Sequence, residues 1–322
     1  MREIGGYFEL EIPIINKDYT HSNGILLNSG RNALKYILIS LGDNLKKVYL
    51  PYYTCEVVLE PIINLGIDYE FYPINERLEI ENPPILREGD YIIVNNYFGI
   101  KDNYIKLVSE SYKEKLIVDQ AQAWFAPVIE NIKSFYSPRK FFGIPDGGVA
   151  FGVNDNHLRQ SFVRDLSWTR FTHLLKRHEL PASEGYIDFR KTAKKFSEEP
   201  IKYMSPLTDR ILSSIDMQKI KERRQTNFKI LDDALGKDNQ LEIPATNLFE
   251  CAMVYPFHTN DDSLRKKLID NKIYVATYWP NILSDCDKDS IEYSLASNLI
   301  PLPIDQRYGK DDMVRIINII KN

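Results

Sequence analysis

Cysteine is scarce in this chain. There are three in 322 residues, Cys55, Cys251 and Cys286, odd in number and far apart. They can build neither a disulfide framework nor a CxxC metal site, and they fit a reducing compartment. The five histidines form no HxxxH or HxH pair, so no zinc site, structural or catalytic, is expected. Long apolar runs are missing as well: "GILL" and "YIIV" fall far short of the roughly 20 residues of a membrane-spanning helix. There is no long basic run, and the formal net charge is −4, which argues against nucleic acid or an anionic membrane surface as partner. The opening "MREIGGYFELEIP" has acidic residues where a signal peptide would be apolar, which predicts a cytoplasmic protein. What is present is a globular composition, 43% hydrophobic and 27% charged, enough for a sizeable core in one large domain or two ordinary ones.

From about residue 25 to 153, helical periods alternate with short apolar strands. "SGRNALKYILISLG" places Ala33, Leu34, Ile37, Leu38 and Leu41 on one helical face and closes with Gly42. "KKVYLPYY" reads as a strand ended by Pro51, and "TCEVVLEPIINLG" as a helix capped by Thr54. "IDYEFYPI", "GDYIIVNN", "EKLIVDQ", "IKSFYS" and "GVAFGV" are further strands, with "IKDNYIKLVSESYK" a helix between two of them. This alternation predicts an α/β fold with a mostly parallel central sheet and helices on both faces. The charged and aromatic stretch 157–205 reads as a helical excursion, and "SSIDMQKIKERRQTNFKILDDALG" as one long amphipathic helix. Beyond it a smaller α+β unit is expected, with "ECAMVYPFH" and "KIYVATYWP" as strands. The expected division is a large unit over 1–215, then a linking helix and small unit over 216–322.

In a parallel sheet, ligands collect at the carboxyl ends of the strands. Asp119 emerges there from "LIVDQAQAW", and about twenty residues later "SFYSPRKFFGIPDGG" places Lys140 among Phe135, Tyr136, Phe141 and Phe142. Taken alone, an aspartate at a strand end is most often a cap or turn residue, and a lone loop lysine is most often solvated. Together they suit pyridoxal phosphate (PLP): an acid facing a protonated pyridine nitrogen, and a lysine amine desolvated by aromatic neighbours, its pKa lowered. Trp124 and Phe125 read as core, and the Arg-Lys clusters at 190–195 and 220–224 as solvated helix faces.

The combination resembles a known family. "VDQAQAW" is similar to the DxAQ signature of the DegT/StrS-type sugar aminotransferases, PLP enzymes of fold type I, the aspartate-aminotransferase fold. Their S-F-x-x-x-K segment followed by E-G-G is matched by Lys140 and Asp146-Gly147-Gly148. "LLNSGRNAL" resembles the early SGTxAL segment, and "YLPYYTCEVVLEPIINLG" the P-x-x-T-aromatic segment that supplies a ring-stacking residue. The resemblance runs from about 25 to 322. It implies that Lys140 is the catalytic PLP lysine, that Asp119 meets the ring nitrogen and that Gln122 lies on the side of the ring's 3-oxygen. It implies that Gly30 and Arg31 face the phosphate, with Ser134 or Ser137 adding a hydroxyl. The implied reaction moves an amino group from an amino acid, L-glutamate in most of the family, to a keto-sugar carried on a nucleotide diphosphate, for surface polysaccharide or glycoside biosynthesis. A homodimer with shared sites is implied too, with His173, Arg177 and His178 as candidates to reach the partner's site and Tyr278 and Trp279 as candidates to face the site from the small unit.

This chain departs from the pattern at four points. Arg31 replaces a threonine, and Cys55 replaces the stacking aromatic, for which Tyr52 or Tyr53 could substitute. Phe135 stands where the family has a serine, and the chain is shorter than typical members. These departures motivate the alternative of a non-catalytic relative with a degenerate PLP site. A desulfurase-type activity would need a reactive thiol, and the acidic neighbours of Cys286 in "LSDCDKD" would raise its pKa.

Overall fold

Ser29 opens the first long helix. Its hydroxyl accepts from Asn32 N, capping α1 (Gly30–Leu41), and Gly42 closes the helix at φ 53°, a conformation glycine adopts without strain. The apolar face expected over 33–41 is buried. In the computed structural model, which describes residues 6–197 and 199–322, α1 lies against a seven-stranded sheet. The first five residues of the acidic N-terminal stretch lie outside the described residues.

The strands are β1 (Ile25–Leu27), β2 (Lys47–Pro51), β3 (Asp68–Tyr72), β4 (Asp90–Asn95), β5 (Leu116–Gln120), β6 (Lys133–Tyr136) and β7 (Gly148–Phe151). Their order is β1-β7-β6-β5-β4-β2-β3. Strands β3, β2, β4, β5 and β6 run parallel, and β7 is antiparallel to both neighbours. The expected mostly parallel sheet is found. Alternation divides the residues between two faces. Val48, Leu50, Ile93, Ile117, Phe135 and Ala150 pack with α1 and α2 (Leu59–Asn64) on one face. Ile92, Val94, Leu116 and Val118 face the other way, toward α3 (Asp102–Tyr112) and the C-terminal elements.

The excursion is helical, as expected: α4 (Asn156–Gln160), α5 (Thr172–Glu179) and α6 (Ala182–Lys195), the last two packed on each other. After α7 (Pro206–Ser213), α8 (Met217–Leu235) buries Phe228 and Leu231, so the long helix starts two residues after Ile215, and Ser213 belongs to α7. A two-stranded sheet, β8 (Tyr255–His258) with β9 (Leu299–Leu302), is surrounded by α9 (Leu264–Asp270), α10 (Ile282–Asp285), α11 (Ile291–Asn298) and α12 (Lys310–Lys321).

Two local expectations are corrected. Thr54 caps no helix: its hydroxyl accepts from Asn95 Nδ2 at 3.0 Å, and 56–58 forms a 3₁₀ turn before α2. "KIYVATYWP" is not a strand. Arg265 donates to Ala276 O at 2.5 Å and to Leu299 O at 2.8 Å, so a guanidinium occupies the place of a ladder between this segment and β9. The left-handed φ of 54° at Trp279 also ends any extended run.

A pH-sensitive contact lies beside the sheet. His21 is buried, its ring 4.0 Å from that of Tyr136, and its Nε2–H donates to Trp124 O at 2.7 Å. Burial pushes its pKa down to about 4, the carbonyl only partly opposing this. The folded pKa is below the ordinary 6.5, so the unfolded chain binds the proton first, and stability present above pH 6.5 is lost as pH falls toward 4. Asp146, raised to about 6 by burial, acts in the same window with opposite sign. Comparison with His21→Gln, which keeps a donor there, isolates the histidine. Relative to that variant, wild type is expected to lose about 2–3 kcal/mol between pH 7 and 4.5 in urea unfolding. Parallel pH profiles would refute the assignment.

Candidate active site

The two glycines of "DGG" permit a close crossing. At 148 an added Cβ would stand 2.1 Å from Ser29 O, so β7 and the start of α1 meet at a separation only glycine allows. Asp146 anchors this crossing from behind. Its carboxylate accepts from Ser205 N and Oγ at 2.9 Å each and from the Thr208 hydroxyl at the start of α7, with Arg170 Nη2 3.8 Å away. It is a buried support and does not line the cavity described next.

That cavity, about 280 Å³, opens between the start of α1, the carboxyl ends of β5 and β6, the 55–58 turn and helix α6. Asp119 and Lys140 both line it, as do Gly30, Arg31, Ser137 and Cys55. Six of the residues singled out from the sequence for the cofactor are therefore brought to one place. Asp119 is in register with Asn95 on β4 and Phe135 on β6, and its Oδ1 accepts from Ala121 N at 2.8 Å. Burial raises its pKa, while the charge of Lys140 and the Ala121 N–H pull it back down. Burial likewise raises the Cys55 thiol, against the opposing charge of Lys140.

Three others do not line the cavity. Ser134 is one residue out of phase with Phe135, so alternation turns it from the cavity face; of the two candidate serines, only Ser137 lines the site. Tyr53 is fully buried on the opposite face, its ring 4.6 Å from Trp279, and it substitutes for no stacking residue here. Gln122 braces the 97–99 turn through Oε1, which accepts from Phe98 N at 2.8 Å; its Nε2 is buried without a partner. Tyr52 is half exposed and stacks on Phe71.

Lys140 corrects the expectation of a desolvated amine: it is exposed. The aromatics around it are buried and serve as anchors. The 3₁₀ turn Pro138–Lys140 leads into Phe141, whose carbonyl accepts from Gln306 Nε2 at 2.8 Å and whose ring lies under the Arg224 guanidinium. Phe142 meets Trp124 edge to face. The turn is fixed on both sides, and the lysine projects from it between the cavity and a second, larger one of about 500 Å³. Arg177, His178 and Arg307 line this vestibule, so Arg177 and His178 stand beside their own chain's lysine. Tyr278 packs against Phe98, and Trp279 against Tyr53, in the core. Trp124 is fully buried, as expected. The Cys286 thiol is raised to about 11, first by burial and then by Glu292, Asp285 and Asp287.

The sequence reading missed Arg139, Phe189 and Phe196, all of which line the cavity. Arg139 directly precedes the lysine, and that adjacency was its only sequence signal. The two phenylalanines come from α6 and its end, where no local pattern points to a site.

No protein-family model matches this chain, and no curated protein matches its sequence. Solved structures do. The sugar aminotransferase CalS13 from Micromonospora echinospora superposes with a TM-score of 0.65 at 17% identity, over 94% of this chain and 87% of that one. This chain has the fold of the sugar aminotransferases. A DegT DnrJ EryC1 StrS aminotransferase from Brucella abortus gives a TM-score of 0.61 at 18% identity, covering 92% and 84% of the two chains. Helicobacter pylori PseC, an aminotransferase involved in the biosynthesis of pseudoaminic acid, gives 0.64 at 12%, covering 92% and 85%. On this aminotransferase fold the cavity sits where the rule for parallel sheets places a ligand, at the carboxyl ends of the strands.

Proposed function

We propose that this protein is a PLP-dependent aminotransferase that moves an amino group from an amino acid, L-glutamate being the implied donor, to a keto-sugar carried on a nucleotide. The observation that carries this reading is the pairing of Asp119 with Lys140 in one cavity that the start of α1 and Arg31 also line. The residues fit the cofactor: Arg31 and Arg139 both line the cavity, and Arg31 Nη1 and Arg139 Nε are buried without hydrogen-bond partners, which a phosphate would supply. Asp119 would face the protonated ring nitrogen, and Lys140 would bond the cofactor and carry the proton on Nζ. When bound, PLP supplies an electron sink for the substrate's α-carbon. The ring's flank would be covered by Phe189 of α6 and Phe196 at its C-terminal end, since position 55 offers only a thiol. The cationic vestibule beside Lys140 suits an acceptor with anionic groups, as a nucleotide diphosphate has. A homodimer is part of the proposal. Among the described residues no helix is long and apolar enough to cross a membrane.

The test is the visible absorption of the protein with PLP before and after L-glutamate, followed by borohydride reduction and peptide mapping. A band that glutamate bleaches, with the adduct on Lys140, is expected. An adduct on another lysine, or no band, would favour the non-catalytic relative instead, which the exposed lysine and the thiol at position 55 otherwise support.

A further inference from the structure

Two half-buried arginines of the cavity each have buried guanidinium nitrogens without a hydrogen-bond acceptor. Arg139 makes no hydrogen bond and no ion pair among the described residues; its one close partner is the Phe196 ring, 4.4 Å from the guanidinium, and its Nε is shut off from water. Arg31 has one ionic neighbour, Glu60 Oε2 at 2.9 Å from Nε, while its Nη1 is buried and unpartnered. The acids behind the cavity are engaged elsewhere. Asp165 pairs with Arg170 and Lys202, Glu199 with Lys202, and Asp146 with Ser205 and Thr208. A buried donor without an acceptor costs free energy, and two guanidiniums lining one small cavity repel each other. Both costs vanish when an anion lies between them. Burial lowers the Arg139 pKa to about 10; the Asp146 carboxylate opposes the drop, and the charges of Arg170 and Arg31 add to it.

We infer that Arg31 and Arg139 form a two-guanidinium clamp for a phosphomonoester dianion at the start of α1. A guanidinium presents a planar fork of donors that matches phosphate oxygens, and two forks suit a group with three terminal oxygens better than a carboxylate with two. The Ser137 hydroxyl and the capped N-terminus of α1 complete the anionic end. Asp119, which also lines the cavity, repels anions, so the ligand enters with its phosphate toward the arginines. The clamp deepens the proposed cofactor role but stands on its own observations.

The test uses the full chain freed of bound ligand and two probes without an aldehyde, inorganic phosphate and pyridoxine 5′-phosphate, with pyridoxine as control. Inorganic phosphate is expected to raise the melting temperature of wild type. Pyridoxine 5′-phosphate should bind about tenfold to a hundredfold more weakly to Arg139→Met and to Arg31→Met, the loss of one charge-assisted contact, while pyridoxine binds all three proteins alike. If Arg139→Met does not fold, Arg31→Met and Arg139→Lys, which keeps the charge and loses the fork, carry the test. No response of wild type to phosphate, or wild-type affinity in the variants, would overturn the clamp. Clamp-dependent binding of pyridoxine 5′-phosphate without a PLP adduct on Lys140 would uphold the clamp and sink the aminotransferase reading. Equal labelling of Lys140 by pyridoxal and PLP would do the reverse.

Discussion

Lys140→Ala is expected to fold and melt like wild type and to lose turnover by at least about 10³-fold, the scale of removing a group that both bonds the cofactor and moves a proton. The unchanged stability follows from exposure: the Lys140 side chain buries little, and the turn that carries it is held by neighbours. Phe141 O stays bonded to Gln306, and Phe142 stays against Trp124. The borohydride-trapped adduct disappears with the activity. Denaturant unfolding and glutamate half-reaction rates check both parts, and a variant with wild-type turnover would end the lysine assignment. A variant that fails to fold would contradict the account of the turn.

Asp119→Asn separates the charge from the hydrogen bond. Asparagine Oδ1 still accepts from Ala121 N, so β5 and the turn after it are preserved. The empty protein is expected to be as stable as wild type or about 1 kcal/mol more stable, because burial disfavours the carboxylate that is removed. The loaded enzyme is expected to lose about 10²–10³-fold in kcat/KM, the cost of leaving a buried cationic ring nitrogen without its counter-charge. Urea midpoints of the empty proteins and steady-state rates of the loaded ones decide the matter. Full activity with asparagine would show that Asp119 is a turn residue after all, the commonest use of an aspartate at a strand end. This pair of substitutions probes two residues of one cavity: a lysine on an exposed turn, and an aspartate held at the end of a strand.

The core elements of the sheet were legible because their signals are local. Continuous apolar runs such as "YIIV" and "LIV" are what strands buried on both faces require, and α1 carried its cap, its period and its closing glycine in fourteen residues. Asp119 and the segment that carries Lys140 were legible for a related reason: Asp119 lies at the end of such a run and Lys140 on the turn just after β6, where the strand-end rule supplies the location. The failures also have physical causes. "KIYVATYWP" has a strand's composition, yet Arg265, from another helix, takes the carbonyls that a ladder would use. Thr54 has a cap's chemistry, yet Asn95 from a neighbouring strand claims its hydroxyl. Tyr53 and Ser134 were candidates by proximity in sequence, but a period of two sends adjacent residues to opposite faces.

By itself, then, the sequence determined the mostly parallel α/β sheet, the helical excursion and the placing of Lys140 and Asp119 near strand ends, because hydrophobic period and strand ends are written in runs of neighbouring residues. Tertiary structure alone decided what surrounds that pair. The excursion folds back so that Phe189 and Phe196 wall the cavity, Arg139 and Arg31 arrive from β6's turn and α1, and Gly148 lets two backbones cross at the arginine end. Those meetings join residues up to 165 positions apart (Arg31 and Phe196), and no local pattern encodes a contact at that separation; it follows from packing.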